Sequence, residues 1–177
     1  ALELNPYSVI MNKVSSYIYY NNFEFQKAIE EYKTTLDLAD GNNIVIWNVK
    51  LSIISCYLNL NKNKEAIDHI KKFISTDPSY DGHELLDEIH KKSGIKGVIN
   101  WFIDWLLESK EIKYGNKITI AKLHSCIGEN QNALKYLESA SENKEMEMPK
   151  INNISDFKSI KTEPRFQTIL KKMNLAD

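Results

Sequence analysis

The spacing of apolar residues predicts a chain of paired helices. Ala66, Ile70 and Phe73 follow one another at steps of four and three residues, which places them on one face of an α-helix. Pro78 ends this helix, because proline lacks a backbone N–H and has a fixed φ. Related stripes occur upstream and downstream, in Ala28, Tyr32, Thr35 and Asp40 and in Ala133, Leu137 and Ala140. Three copies of one pattern predict an internal repeat.

The capping and turn residues between the periodic segments give the predicted helix boundaries. Ser8 is the candidate N-cap of the first helix, and Thr162, followed by Pro164, is that of the last. Gly94 and Gly128 are both predicted to end helices with the positive φ that glycine tolerates. The polar residues 143–153 are predicted to form a loop and 154–160 a short turn. The predicted helices cover about residues 8–20, 23–38, 44–60, 64–77, 80–92, 95–110, 117–127, 130–141 and 164–173.

The repeated stripe resembles the tetratricopeptide repeat family. The residues that carry this resemblance are Ala28, Tyr32 and Asp40, then Ala66, Ile70, Phe73 and Pro78, then Gly128, Ala133, Leu137 and Ala140, with Tyr19 and Tyr57 nine residues before the first two alanines. The Trp-Leu-Gly signature of the family's first helix is absent, and Ile99 replaces the small residue of the third pair. The resemblance implies an all-α fold, a right-handed α-α superhelix of helical hairpins closed by a C-terminal capping helix.

The resemblance covers about residues 1–142. It implies repeats at about 8–40, 44–78, 80–110 and 114–142, followed by a loop and the capping helix in 143–177. Residues 1–6 match the end of a repeat, since Ala1 precedes Pro6 as Phe73 precedes Pro78. We therefore expect the chain to begin inside a preceding repeat of a longer polypeptide.

A second resemblance concerns the tail, DFKSIKTEPRFQTILKKMNL, residues 156–175. It is similar to the ending of tetratricopeptide regions in many bacterial multidomain regulators. In those proteins the upstream part is a winged-helix DNA-binding domain, a nucleotide cyclase or a protein kinase. The resemblance implies a C-terminal sensory or scaffolding segment of such a protein, for instance of a transcriptional regulator.

The composition argues against nucleic acids and membranes as partners of this chain. The net charge is −1, with 23 Lys and Arg against 24 Asp and Glu, and Arg165 is the one arginine, which argues against direct nucleic-acid binding. No apolar run approaches the roughly 20 residues that cross a bilayer. Cys56 and Cys126 lie in apolar helical patterns and are predicted to be buried free thiols, which fits a cytoplasmic location.

No catalytic, metal or cofactor motif emerges from the sequence. His83 and His90 are seven residues apart, whereas a zinc-binding helix places two histidines four apart. Gly-rich phosphate loops and nucleophile motifs are also missing, so we expect a protein that is not an enzyme and needs no cofactor or metal. The run 142–147 is predicted to be a solvated loop.

The predicted function is protein binding in the concave groove that such repeats form from the first helix of each pair. Repeat position assigns to this groove Lys13, Tyr17, Tyr20, Asn48, Ser52, Ser55, Asn59, Thr119 and Lys122. Tyr and Asn suit an extended protein or peptide partner, since they combine contact area with hydrogen-bonding groups. The alternative left open is self-association of the regulator, cyclase or kinase, as a homo-oligomer formed through the first helix and its missing upstream repeat, or through Trp101.

Overall fold

The computed structural model describes residues 8–39, 43–75, 83–108 and 117–175, and all regular structure in these ranges is helical, as predicted. By chain contacts the protein divides into two compact units, residues 1–83 and 84–177. The elements are α1 (Val9–Asn21), α2 (Phe25–Leu38), α3 (Asn43–Asn59), α4 (Asn63–Ile74), α5 (His83–Glu108), α6 (Lys117–Cys126), α7 (Asn130–Glu142), the 3-10 helices η1 (Met148–Asn153) and η2 (Ser155–Ile160), and α8 (Pro164–Lys172). The predictions for residues 1–6, Asp40 and Pro78 lie outside the described residues.

The first unit is a row of helices in which each contacts the next: α1 packs on α2, α2 on α3, and α3 on α4. Ala28 and Ala66 are fully buried, and their small side chains allow close approach of the neighbouring helices. Trp47 meets the ring of Phe73 edge-on, with 4.5 Å between the ring centroids. This contact joins the two helices of the second hairpin, α3 and α4.

One turn geometry joins the helices of three hairpins. Phe23, Asn61 and Gly128 have φ values of 62°, 56° and 75°, and each stands five residues before a buried alanine. In each turn the next residue donates its backbone N–H to the carbonyl five residues back, with N–O distances of 2.8–2.9 Å. This is the Schellman type of helix ending. The positive φ predicted at Gly128 is confirmed, and the same turn occurs at two non-glycine positions.

In the second unit, α6, α7, η1, η2 and α8 share an apolar core. The buried residues of this core are Ile118, Ala121, Ala133, Leu134, Leu137, Ala140, Met148, Ile151, Ile154, Phe157, Ile160, Phe166, Ile169 and Leu170. η2 contacts α6 and α7, and α8 contacts α7. The apolar residues of the tail are therefore structural, since they bury their side chains against α7.

Gly94 separates two helical segments of α5, as predicted, since its φ of 63° and ψ of −162° are not helical and mark a kink between them. Local structure departs from the sequence predictions at two other places. Residues 148–153, predicted as loop, wind into η1. The N-cap of α8 is Glu163 rather than Thr162, with Pro164 in the first turn as expected. The predicted cap of α1 is confirmed, because the Ser8 hydroxyl accepts a hydrogen bond from the backbone N–H of Met11 at 3.3 Å.

Candidate protein-binding surface

Helix α1 turns its polar side inward. Its buried residues are Asn12, Ser16 and Tyr20. Ser16 donates to the carbonyl oxygen of Asn12 at 2.7 Å, and the Asn12 amide donates to that of Ser8 at 3.0 Å. These bonds pair the Ser16 hydroxyl and the Asn12 amide within the helix itself, which lets α1 pack on α2 through a polar face.

The opposite side of α1 is apolar and exposed. Ile10, Met11, Val14, Tyr17 and Ile18 are 74%, 39%, 50%, 37% and 53% exposed. Their spacing follows the turns of one helix, so the side chains form a continuous band, which we call the α1 stripe. An exposed apolar band of this kind marks an interaction surface more often than isolated exposed residues do.

The α1 stripe corrects the sequence interpretation of this helix. Periodicity identifies Val14, Tyr17, Ile18 and Met11 as the apolar side of α1, the side whose hydrophobicity favours burial. They are all exposed instead, because the small and hydrogen-bonded residues of the other face allow α2 to approach there.

The predicted groove residues of the first unit divide into exposed, half-buried and buried positions. Lys13 and Tyr17 are exposed on α1. Tyr20 and Ser55, each 4% exposed, are buried, and their assignment to an accessible groove is wrong. The Tyr20 ring packs edge-on against Phe25 at 5.4 Å. Ser55 lies within the buried run 53–58 of α3, a helix that packs on both α2 and α4.

Asn48, Ser52 and Asn59 are half-buried on α3. Ser52 donates to the backbone carbonyl of Asn48 at 2.9 Å, and the Asn59 amide donates to that of Ser55 at 2.9 Å. The Ser52 hydroxyl and the Asn59 amide are thus paired within their own helix, and a bound peptide would compete with those bonds.

Thr119 and Lys122 belong to the second unit and are half-buried on α6. The Lys122 ammonium lies 3.6 Å from the carboxylate of Glu147. Lys122 therefore contributes to a weak ion pair between α6 and the segment after α7.

The same segment contains a contact that the sequence interpretation missed. Glu145, predicted to be solvated, accepts hydrogen bonds from the backbone N–H groups of Lys117 at 2.9 Å and Ile118 at 3.3 Å. The carboxylate thus caps the first turn of α6, where N–H groups have no partner within the helix. No local signal could have identified it, because the two partners lie 27 and 28 residues away in the sequence.

A polar cluster in the second unit joins the half-buried carboxylate of Glu129 to the buried ring of His124. Asn100 and Asn132 donate to the Glu129 carboxylate at 2.9 and 3.0 Å, and Nδ1 of His124 lies 2.9 Å away. Burial alone would raise the pKa of Glu129, but these hydrogen bonds together lower it below its usual range. The His124 ring stacks on Tyr136 at 5.4 Å. The cluster connects α5, α6 and α7, and its carboxylate oxygens are taken by these partners.

A shallow pocket of about 290 Å³ lies beside the Glu145 cap, lined by Ser141, Lys144, Glu145, Met148, Pro149, Lys172 and Met173. The side chains that line it carry both positive and negative charges. Its one carboxylate, that of Glu145, already accepts hydrogen bonds from the backbone of α6. Within the described residues, no three His, Cys, Asp or Glu side chains are grouped so that they could hold a metal ion. Likewise, no helix in the described ranges has the length and hydropathy needed to cross a bilayer.

We compared the chain with models of protein families, with curated proteins and with solved structures, and it matches none of them. The resemblance to tetratricopeptide repeats is thus carried by the residues quoted above and stays a prediction. The α1 stripe is the surface of the described residues with the most apolar side chains exposed side by side.

Proposed function

We propose that the protein is a non-catalytic protein-binding module that holds its partner on the α1 stripe. The observation that carries the proposal is this run of exposed apolar side chains on a helix that is otherwise packed into the fold. Exposing them to water is unfavourable, and a partner that covers them recovers roughly 25 cal/mol for each Å² buried. Of the residues expected to bind a partner, Tyr17 lies in the stripe and Lys13 beside it.

We further propose that the helical hairpins belong to a tetratricopeptide-type array, a right-handed α-α superhelix. Two features support this. The three Schellman turns keep the same distance to the buried Ala28, Ala66 and Ala133, and the C-terminal helix covers apolar residues of α7. The tail resemblance supports a role as the interaction segment of a larger cytoplasmic bacterial regulator.

Site-specific photocrosslinking in the native cells tests the binding function. A photoreactive phenylalanine analogue replaces Val14, and the control carries it at Glu30, an exposed position of α2. We expect discrete covalent protein adducts from position 14 and few from position 30. If position 14 gives no protein adduct beyond the control, the α1 stripe is not a protein-binding surface.

A further inference from the structure

The arrangement of side chains in the α1 stripe suits a second copy of the same stripe. We propose that the protein forms a homodimer in which the α1 helices of two copies pack against each other in antiparallel orientation. This inference rests on the protein-binding function proposed above and names the partner.

The stripe is symmetric about its centre. Ile10 and Ile18 each stand four residues from Val14, one toward either end of the helix. When two such helices pack antiparallel around a two-fold axis at Val14, Ile10 of each copy meets Ile18 of the partner subunit. A two-fold interface requires this self-complementarity, because each contact must occur twice with the roles exchanged.

The low charge of α1 also favours packing against the same helix of a second copy. Lys13 is the one charged residue among the 13 of this helix, whereas 27% of the whole chain is charged. Lys13 lies at the edge of the stripe, where its long side chain can extend into water. Pairing two stripes therefore buries no charge. A strongly charged partner surface would find no complementary group in the stripe and would lose hydration there.

The available area fits a weak dimer. The five exposed fractions given above correspond to about 450 Å² per chain, taking ~150–250 Å² for each fully exposed side chain. Two copies that cover every exposed part of the stripe would bury roughly 900 Å², just below the ~1,000 Å² that a specific interface should clear, which places the contact among weak, transient ones. We therefore expect dissociation constants in the micromolar range rather than a permanent dimer.

Sedimentation equilibrium of the full chain from about 1 to about 500 μM tests this range. Ile18→Glu places a charge in the stripe, and Ile44→Glu is the matched control, since Ile18 and Ile44 are 53% and 51% exposed in the same unit. We expect dimers for the wild type and for Ile44→Glu, and a dissociation constant at least tenfold higher for Ile18→Glu. Circular dichroism verifies that both variants keep their helical content. Equal weakening by the two variants would overturn the inference.

A charge-swap experiment tests the symmetry itself. Val14→Glu and Val14→Lys each put two like charges at the two-fold axis, so each variant alone should be monomeric. Mixing them in equal amounts places Glu opposite Lys, and association should return, as a heterodimer. Val14 is half exposed, and Glu and Lys have at least the helix propensity of Val, so both variants should fold. A mixture that stays monomeric while the wild type dimerises would overturn the antiparallel arrangement.

The two proposals fail in different ways. A wild-type chain that is monomeric at all concentrations, but crosslinks from position 14 to another protein, overturns the homodimer and leaves the binding function in place. A monomeric chain with no adduct from position 14 overturns both.

Discussion

Arg165 binds the carboxylate of Glu138 through two parallel hydrogen bonds. Nε donates to Oε1 at 2.8 Å and Nη2 donates to Oε2 at 2.7 Å, while Nη1 donates to the Gln131 side chain at 2.8 Å. The contact ties the first turn of α8 to α7. The single arginine of the chain is thus used inside the second unit, since only a guanidinium presents this planar pair of donors.

Arg165→Lys should destabilise the protein by about 0.5–1 kcal/mol, because lysine keeps the charge but cannot make the paired contact. The effect is limited since both side chains are about two-fifths exposed and solvent screens the pair. Urea unfolding measures it. Lys171→Ala, at an exposed lysine of the same helix, is the control and should change stability less than Arg165→Lys does.

The same pair predicts a pH dependence. The hydrogen bond from Arg165 is the main reason why the pKa of Glu138 is lowered in the folded protein. The pair's contribution is therefore present above the unfolded pKa of about 4.3 and is lost as pH falls through the lower folded value. The stability difference between wild type and Arg165→Ala should be constant from about pH 6 to 8 and shrink below about pH 4. A difference that grows on acidification would contradict this assignment.

Glu145→Ala removes the cap of α6 and should cost about 1 kcal/mol, since it leaves two backbone N–H groups without their carboxylate partner. Thermal unfolding of the variant provides the measurement. Glu147→Ala is the comparison: this glutamate is exposed and its contact with Lys122 is 3.6 Å long, so the loss should stay below about 0.5 kcal/mol. Equal losses would mean that general charge, not the cap, stabilises the segment.

Glu129→Ala should be the most destabilising of these substitutions, at about 2 kcal/mol, because it leaves the Asn100 amide and the buried His124 ring without a hydrogen-bond partner. Chemical denaturation of the variant, followed by circular dichroism, gives the value. Glu142→Ala, on the exposed end of α7, controls for loss of a glutamate. A cost no greater than that of the control would show that the cluster is not a structural link between the helices.

Gly128→Ala should cost about 1 kcal/mol through the backbone alone, because φ is 75° and an added Cβ meets no atom within 4 Å. Gly128→Asn should lose less, since asparagine tolerates positive φ and occupies the same turn position at Asn61. Equilibrium unfolding of both variants distinguishes them. An alanine variant as stable as the asparagine variant would argue against backbone strain at this turn.

The location of the α-helices was predictable from the sequence to within a few residues, whereas that of η1 was not. The N-cap at Ser8 and the positive φ at Gly128 were also predictable, because each depends on near neighbours in the chain. Glu145 could not be assigned, since its partners at the start of α6 are distant in sequence. Periodicity also failed at α1, where it identified the apolar face but not which face packs on α2.

The sequence alone therefore determined the helical class, the repeated alanine stripe and the turn positions, all of which follow from local periodicity and backbone preference. The tertiary structure decided which faces are buried: it placed Asn12 and Ser16 inside and left Val14 and Ile18 exposed. The reason is physical. A side chain's hydrophobicity favours burial of its face, but burial also needs a neighbouring element, and α2 packs on the other face of α1.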